Sequence, residues 1–170
     1  SIQQFKLIKY WFKTHQIEAK LQEQIIERIK TIITMINACQ SLEQLRGLEG
    51  ASAKIVFYVM SLIAPAWAKF QGRNRRPPKD PINVLLSLSY SLIYAECTRA
   101  LTAHALDPML GFYHEPVHGR YSLACDLTER IRCDIEKWVM QLLFNEQLRP
   151  VHFASSEQYP CVLNKEGRAI

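Results

Sequence analysis

His114, Asp126 and Glu129 are the residues of this chain best placed to do chemistry. Gly111-Phe112-Tyr113-His114 forms a glycine-led segment that delivers an imidazole. A short turn with His118, Gly119 and Arg120 follows, then a helical pattern with Asp126 and Glu129 three residues apart and therefore on one face. Two carboxylates so placed can bind a hard divalent cation such as Mg²⁺ or Mn²⁺, and imidazole is a donor that Mn²⁺ accepts. On spacing alone His118 competes with His114 for that place. With arginine beside them, the set suits a metal ion working on a phosphodiester. Each part also has an ordinary explanation. An acid pair on a helix is most often a solvated face, and a lone histidine is most often structural. Glu49, in Leu48-Glu49-Gly50-Ala51-Ser52-Ala53, adds a third acid among small residues that permit close approach by a metal or a nucleic-acid strand. Acids are also common at helix starts, where the helix dipole favours them.

The elements that must position these groups read as helices. Helix formers dominate, glycine is rare, and alternating strand patterns are scarce. Apolar residues recur at helical spacing from Gln3 to about Ile36, through Ile8, Phe12, Ile25, Ile29, Ile32 and Ile33. Ser41-Leu42-Glu43-Gln44 predicts a capping box opening a short helix that Gly47 closes. Glu49 then opens the next helix, to Ile63, with Pro65 disturbing its end. Asp80-Pro81 places a cap and a first-turn proline ahead of an apolar helix to about Ala105. Asp107-Pro108 opens a short turn. Ser122 is expected to cap the helix that runs to about Gln147, with Leu127, Ile131 and Trp138 on its packing side. Residues 1–147 read as one helical lobe, and 148–170 as a mostly irregular tail of the same domain with possible short strands.

Composition narrows the partner. The chain has 170 residues, 48% of them hydrophobic and 22% charged, which suits one ordinary domain with a real core. Its net charge of +5 favours a polyanionic partner, most often nucleic acid. Four cations crowd the loop Gly72–Lys79: Arg73, Arg75, Arg76 and Lys79. Lys6, Lys9, Lys13 and Lys20 share a helical register, either as a solvated face or as a stripe along a phosphate backbone. The five cysteines are scattered, with no Cys-x-x-Cys, which argues against a disulfide framework and a zinc knuckle. No apolar run has the length of a membrane span and no signal peptide is visible. A reduced cytosol and no membrane partner are therefore expected. The chain does not begin with methionine, so a piece of a longer protein is expected.

Four ordered blocks carry a resemblance. They are Leu45-Arg46-Gly47-Leu48-Glu49-Gly50-Ala51-Ser52-Ala53; Arg76-Pro77-Pro78-Lys79-Asp80-Pro81-Ile82-Asn83-Val84-Leu85-Leu86-Ser87; Leu106-Asp107-Pro108-Met109-Leu110-Gly111-Phe112-Tyr113-His114; and Gly119-Arg120-Tyr121-Ser122-Leu123-Ala124-Cys125-Asp126-Leu127-Thr128-Glu129. In content, order and spacing they closely resemble the CRISPR-associated integrase, the Cas-one family. The resemblance implies an all-α, multi-helix catalytic lobe, with the family's amino-terminal β domain absent from this chain. It implies a metal-dependent DNA integrase and endonuclease that inserts new spacers by attack of a DNA 3′-hydroxyl on the repeat phosphodiester. The catalytic and metal-binding residues would be Glu49, His114 and Glu129, so His114 is preferred over His118. Members with Asp at both acid positions usually ligate through the second. Glu129 stands there in this chain, which leaves Asp126 as either a ligand or a support.

The resemblance further implies a Mg²⁺ or Mn²⁺ cofactor and double-stranded DNA (prespacer and repeat) as substrate. A Cas-two-type subunit is the expected partner, with a homodimer as the expected assembly. Arg73, Arg75, Arg76, Lys79, Arg120 and Arg132 would hold DNA backbone, and Asn83 would support the site. Three other readings stand beside this one. The chain is the integrase part of a reverse-transcriptase fusion that acquires spacers from RNA, or a family member recruited by a transposon with the same active site, or a non-catalytic helical nucleic-acid-binding module.

Overall fold

The structure is a computed structural model, and it describes residues 2–170. The chain divides into two compact units, Ser1–Asn74 and Arg75–Ile170, with the boundary inside the arginine-rich loop.

The first unit is built from α1 (Ile2–Thr14), α2 (Ala19–Ala38) and α3 (Leu42–Ile63), followed by a single 3₁₀ turn at Ala66–Ala68. The long helical pattern from Gln3 to Ile36 breaks between α1 and α2. The Thr14 hydroxyl bonds back to the Tyr10 and Trp11 carbonyls at 3.1 and 3.3 Å, an alternative to continued helix. Lys20 therefore stands on α2, while Lys6, Lys9 and Lys13 line the exposed side of α1. Opposite them Leu7, Ile8 and Trp11 are buried, and Ile25 and Ile29 of α2 join Val56, Val59 and Met60 of α3 in the core. The three helices pack on one another.

Ser41 caps α3 as expected, accepting a bond from the Gln44 N–H at 3.2 Å, while the Gln44 side chain accepts from the Gln40 N–H at 3.1 Å. Gly47, however, does not close a helix. α3 runs through it, so Glu49 lies within a helix rather than at its start. A mid-helix glycine costs about 1 kcal/mol, and seven buried residues further along α3, from Ser52 to Ile63, hold the helix together across it. Ala64, just before Pro65, ends α3.

The second unit is built on α4 (Pro81–Ala103) and α5 (Ser122–Phe144), which pack against each other. Asp80 caps α4, its carboxylate accepting from the Asn83 N–H at 2.9 Å and from the Asn83 side-chain amide at 2.6 Å. Both residues are buried. After α5 the chain makes a 3₁₀ turn at Pro150–His152 and a two-residue antiparallel ribbon, β1 (Phe153–Ala154) with β2 (Val162–Leu163). β2 lies against α4, so the tail is a seated part of this unit. The buried face of α5 differs from the expected one. Leu127 and Ile131 are 36% exposed and Trp138 is 53% exposed, and Ala124, Ile135, Val139, Met140 and Leu143 are buried instead. The displaced residues Ile131 and Trp138 line an open apolar groove of about 1040 Å³ with Leu88 and Leu92 of α4. Among the described residues no helix is long and apolar enough to cross a membrane.

Asp80→Ala removes the cap of a buried helix start. It is expected to cost about 1–2 kcal/mol in chemical denaturation, with Asp80→Asn retaining most of the stability.

Candidate functional site

The site begins with a carboxylate inside the second unit. Asp126 lies in the second turn of α5 with its side chain fully buried. Its Oδ2 accepts from the backbone N–H of Phe112 at 2.8 Å and of Tyr113 at 3.1 Å. Its Oδ1 accepts from the His114 N–H at 3.0 Å and pairs with the His114 ring Nδ1 at 2.7 Å. Three consecutive backbone donors, belonging to neither helix nor sheet, converge on one anion. Burial alone would raise the Asp126 pKa. The His114 bond and the Tyr113, Phe112 and His114 amides outweigh it and hold the carboxyl below its ordinary value. An ionised carboxylate can only accept, so Nδ1 carries a ring proton, and in the neutral ring this tautomer puts the lone pair on Nε2. The His114 side chain is 27% exposed, edge-on to the Tyr113 ring at 5.1 Å between centroids.

A second set of ties closes the loop on the start of α5. Ser122 is the first helical residue rather than the cap expected of it, since the cap position belongs to Tyr121. The Ser122 hydroxyl donates to the Glu115 carbonyl at 2.9 Å. Arg120, expected at DNA, is half-buried, donating to the same carbonyl and, through Nε, to the Ser122 hydroxyl at 3.3 Å. Gly111 lets loop and helix touch. A β-carbon there would collide with the His114 carbonyl oxygen and lie 2.7 Å from Ser122 Cβ. His118, the competing histidine, is exposed.

Glu129 stands near Asp126 on α5 with its side chain 31% exposed, bonded to the Arg132 guanidinium at 2.6 Å. Arg132 also had a DNA role in expectation, but its side chain is only 15% exposed. It lies 5.3 Å over the Tyr90 ring and 3.5 Å from Glu136 Oε1. Glu136 is buried and accepts the Tyr90 hydroxyl at 3.0 Å. Burial, only partly countered by the charge of Arg132 and the Tyr90 bond, pushes the Glu136 carboxyl up to about 7. Sequence reasoning missed Tyr90 and Glu136. The available signal was spacing, because Glu129, Arg132 and Glu136 keep one helical face.

The structure brings His114 and Asp126 into contact. Glu49 belongs to α3 of the first unit, half-buried. Arg75, Arg76 and Lys79 are exposed, whereas Arg73 is half-buried and donates to the Asn74 carbonyl. Asn83 is engaged with the Asp80 cap. Among the described residues no three His, Cys, Asp or Glu side chains are grouped so as to hold a metal ion. Within the second unit, the His114 imidazole and the accessible Glu129 carboxylate are donors of a kind that a divalent cation accepts.

The family model of CRISPR associated protein Cas1 matches residues 2–170. The CRISPR-associated endonuclease Cas1 1 of Thermodesulfovibrio yellowstonii is 43% identical over 129 residues, covering 75% of this chain and 41% of that protein. The chain thus spans less than half the length of this relative. Among solved structures, a chain of a partial Cas6-RT-Cas1–Cas2 complex superposes with a TM-score of 0.88 at 28% identity, covering 98% of this chain and 51% of that one. A casposase bound to integration product gives a TM-score of 0.77 at 26% identity, covering 98% and 47%.

Gly111→Ala forces loop and helix apart. It is expected to cost about 1–3 kcal/mol, and Asp126 to lose amide protection at residues 112–114 in hydrogen exchange. Glu136 sets a pH signature. Its folded pKa, about 7, lies above the ordinary 4.5, so the native state binds more protons between those values. Its contribution to stability is present below about 4.5 and lost as pH rises to about 7. The melting temperature of Glu136→Gln should therefore gain on that of the parent across that window; an unchanged gap would show that Arg132 offsets the whole burial cost.

Proposed function

The chain belongs to the Cas1 family, and from that premise we propose that it is the helical catalytic lobe of a metal-dependent DNA integrase and endonuclease of CRISPR adaptation. The observation that carries the reading is the His114–Asp126 pair. A buried, ionised carboxylate holds a ring proton on Nδ1, so that the neutral ring would present the Nε2 lone pair, an arrangement that suits a metal-ligating histidine. The naming of relatives as endonucleases and the likeness to a casposase bound to integration product support it.

In this reading Glu49, His114 and Glu129 hold one Mg²⁺ or Mn²⁺, and Asp126 supports His114 rather than ligating. Four bonds already occupy its carboxylate. Held there, such an ion would supply Lewis-acid stabilisation of the charge that develops on the phosphodiester. The 3′-hydroxyl of a DNA fragment forms a new P–O bond at the repeat boundary, and the bond to the neighbouring 3′-oxygen breaks, releasing a 3′-hydroxyl. Water in place of the incoming hydroxyl gives nuclease products. The protein supplies no nucleophile. Arg75, Arg76 and Lys79, exposed on the loop before α4, hold the DNA backbone without reading sequence. Arg120 and Arg132 serve the site through their internal bonds. A Cas2-type subunit, a homodimer and a prokaryotic cytoplasm complete the setting, in keeping with the Cas1–Cas2 complex among the similar structures.

A second reading keeps the site and changes its parent. The likeness to a chain of a complex that contains a reverse transcriptase, with a TM-score of 0.88, is compatible with the integrase part of such a fusion. Spacer capture from RNA by the full-length protein would test it.

The experiment for the main reading is half-site integration of a labelled fragment into a repeat-bearing plasmid. Glu49→Ala, His114→Ala and Glu129→Ala are each expected to abolish it. Asp126→Asn, which acts through His114, should lower it about 10–100-fold. Retained integration in Glu49→Ala or His114→Ala would sink the assignment.

A further inference from the structure

Glu136 is the buried polar group that the proposed chemistry leaves without a task. It is 2% exposed. Its Oε1 accepts the Tyr90 hydroxyl, whereas its Oε2, equally buried, has no hydrogen-bond partner among the described residues. A buried carboxylate oxygen left in that state calls for a reason. Beside it stands Arg132, which two carboxylates face. The bond to Glu129 is close, at 2.6 Å from a terminal nitrogen. With Glu136 it already makes a longer ion pair, with Nε at 3.5 Å from Oε1. Glu129, Arg132 and Glu136 follow one another at spacings of three and four, so one guanidinium can reach either acid by side-chain rotation alone. The Tyr90 ring lies under the guanidinium at 5.3 Å and offers a face across which it can turn.

A divalent cation and a guanidinium compete for the same carboxylate. Both are positive, and arginine cannot escape the competition by losing its proton. Once Glu129 is taken, Arg132 must draw closer to its other carboxylate, or its mostly buried charge is less well compensated. We propose that Glu136 is the second seat of the Arg132 guanidinium, which leaves Glu129 for Glu136 when a divalent cation is held at Glu129. Glu136 is then a positioning residue. It touches neither metal nor DNA, and it sets metal affinity by making the departure of Arg132 inexpensive. The inference rests on the reading of Glu129 as a ligand.

The test is Mn²⁺ binding to the full-length, metal-free protein without DNA, followed by the electron paramagnetic resonance of free Mn²⁺. Glu136→Gln keeps the size of the side chain and a partner for the Tyr90 hydroxyl but removes the anion. It is expected to weaken binding about 10–100-fold, the usual cost of an outer-shell change. In an Arg132→Met background, with no guanidinium to rehouse, the same substitution should change nothing. Equal weakening in both backgrounds marks a merely structural role and overturns the inference, as does binding by Glu136→Gln equal to the parent. The Glu129→Gln variant separates the two levels. Loss of binding there with none in Glu136→Gln overturns this inference alone, whereas unchanged binding there overturns the site reading and the inference together. A measurement on the unsubstituted protein guards against misfolded variants: the Arg132 Nε–H resonance should move on saturation with diamagnetic Mg²⁺, and a stationary resonance overturns the proposal.

Discussion

Everything in the second unit's site depends on one carboxylate. Asp126 gathers three backbone amides and an imidazole. The segment it gathers lies between α4 and α5 with no ladder of its own to satisfy its donors. Its backbone donors need partners, and the fixed anion supplies them. The same contact orders the loop, aims the ring and chooses the tautomer. The helix that supplies the anion also supplies Glu129, so loop and acid share one rigid support.

The α5 helix explains why its apolar residues sit where they do. Ser122, Asp126, Glu129, Arg132 and Glu136 occupy a continuous, mostly buried stripe that an ordinary amphipathic helix would give to leucine. Polar groups hold those positions only because each has a bonding partner or an opposite charge close by, with the Oε2 of Glu136 the exception. Leu127, Ile131 and Trp138 are thereby turned outward, the last two into the groove beside α4.

Much of the fold was legible in the sequence, and the failures have physical causes. Ser41 and Asp80 announced their helices through short side chains that bond the backbone three residues on. Gly47 misled because propensity is a local quantity, while the packing that carries α3 past it is tertiary. The packing side of α5 misled for a related reason. Hydrophobic periodicity assumes that apolar residues win the interior, and here a paired polar stripe won it. His114 and its acids were legible as residue types at a spacing. The four-bond role of Asp126 was not, because no pattern of letters shows that three amides of a loop will converge on a side chain at least twelve residues away. That Arg120 and Arg132 are partly buried and bonded within the protein was not legible, because charge shows in a sequence and burial does not.

The tie between loop and helix has a mechanical side. His114 is fastened to α5 by its ring and its own amide, and Ser122 and Arg120 fasten the rest of the loop to the same helix start. Imidazole and acid therefore travel together. A shift or roll of α5 carries the pair as a single cartridge, with its internal distances preserved.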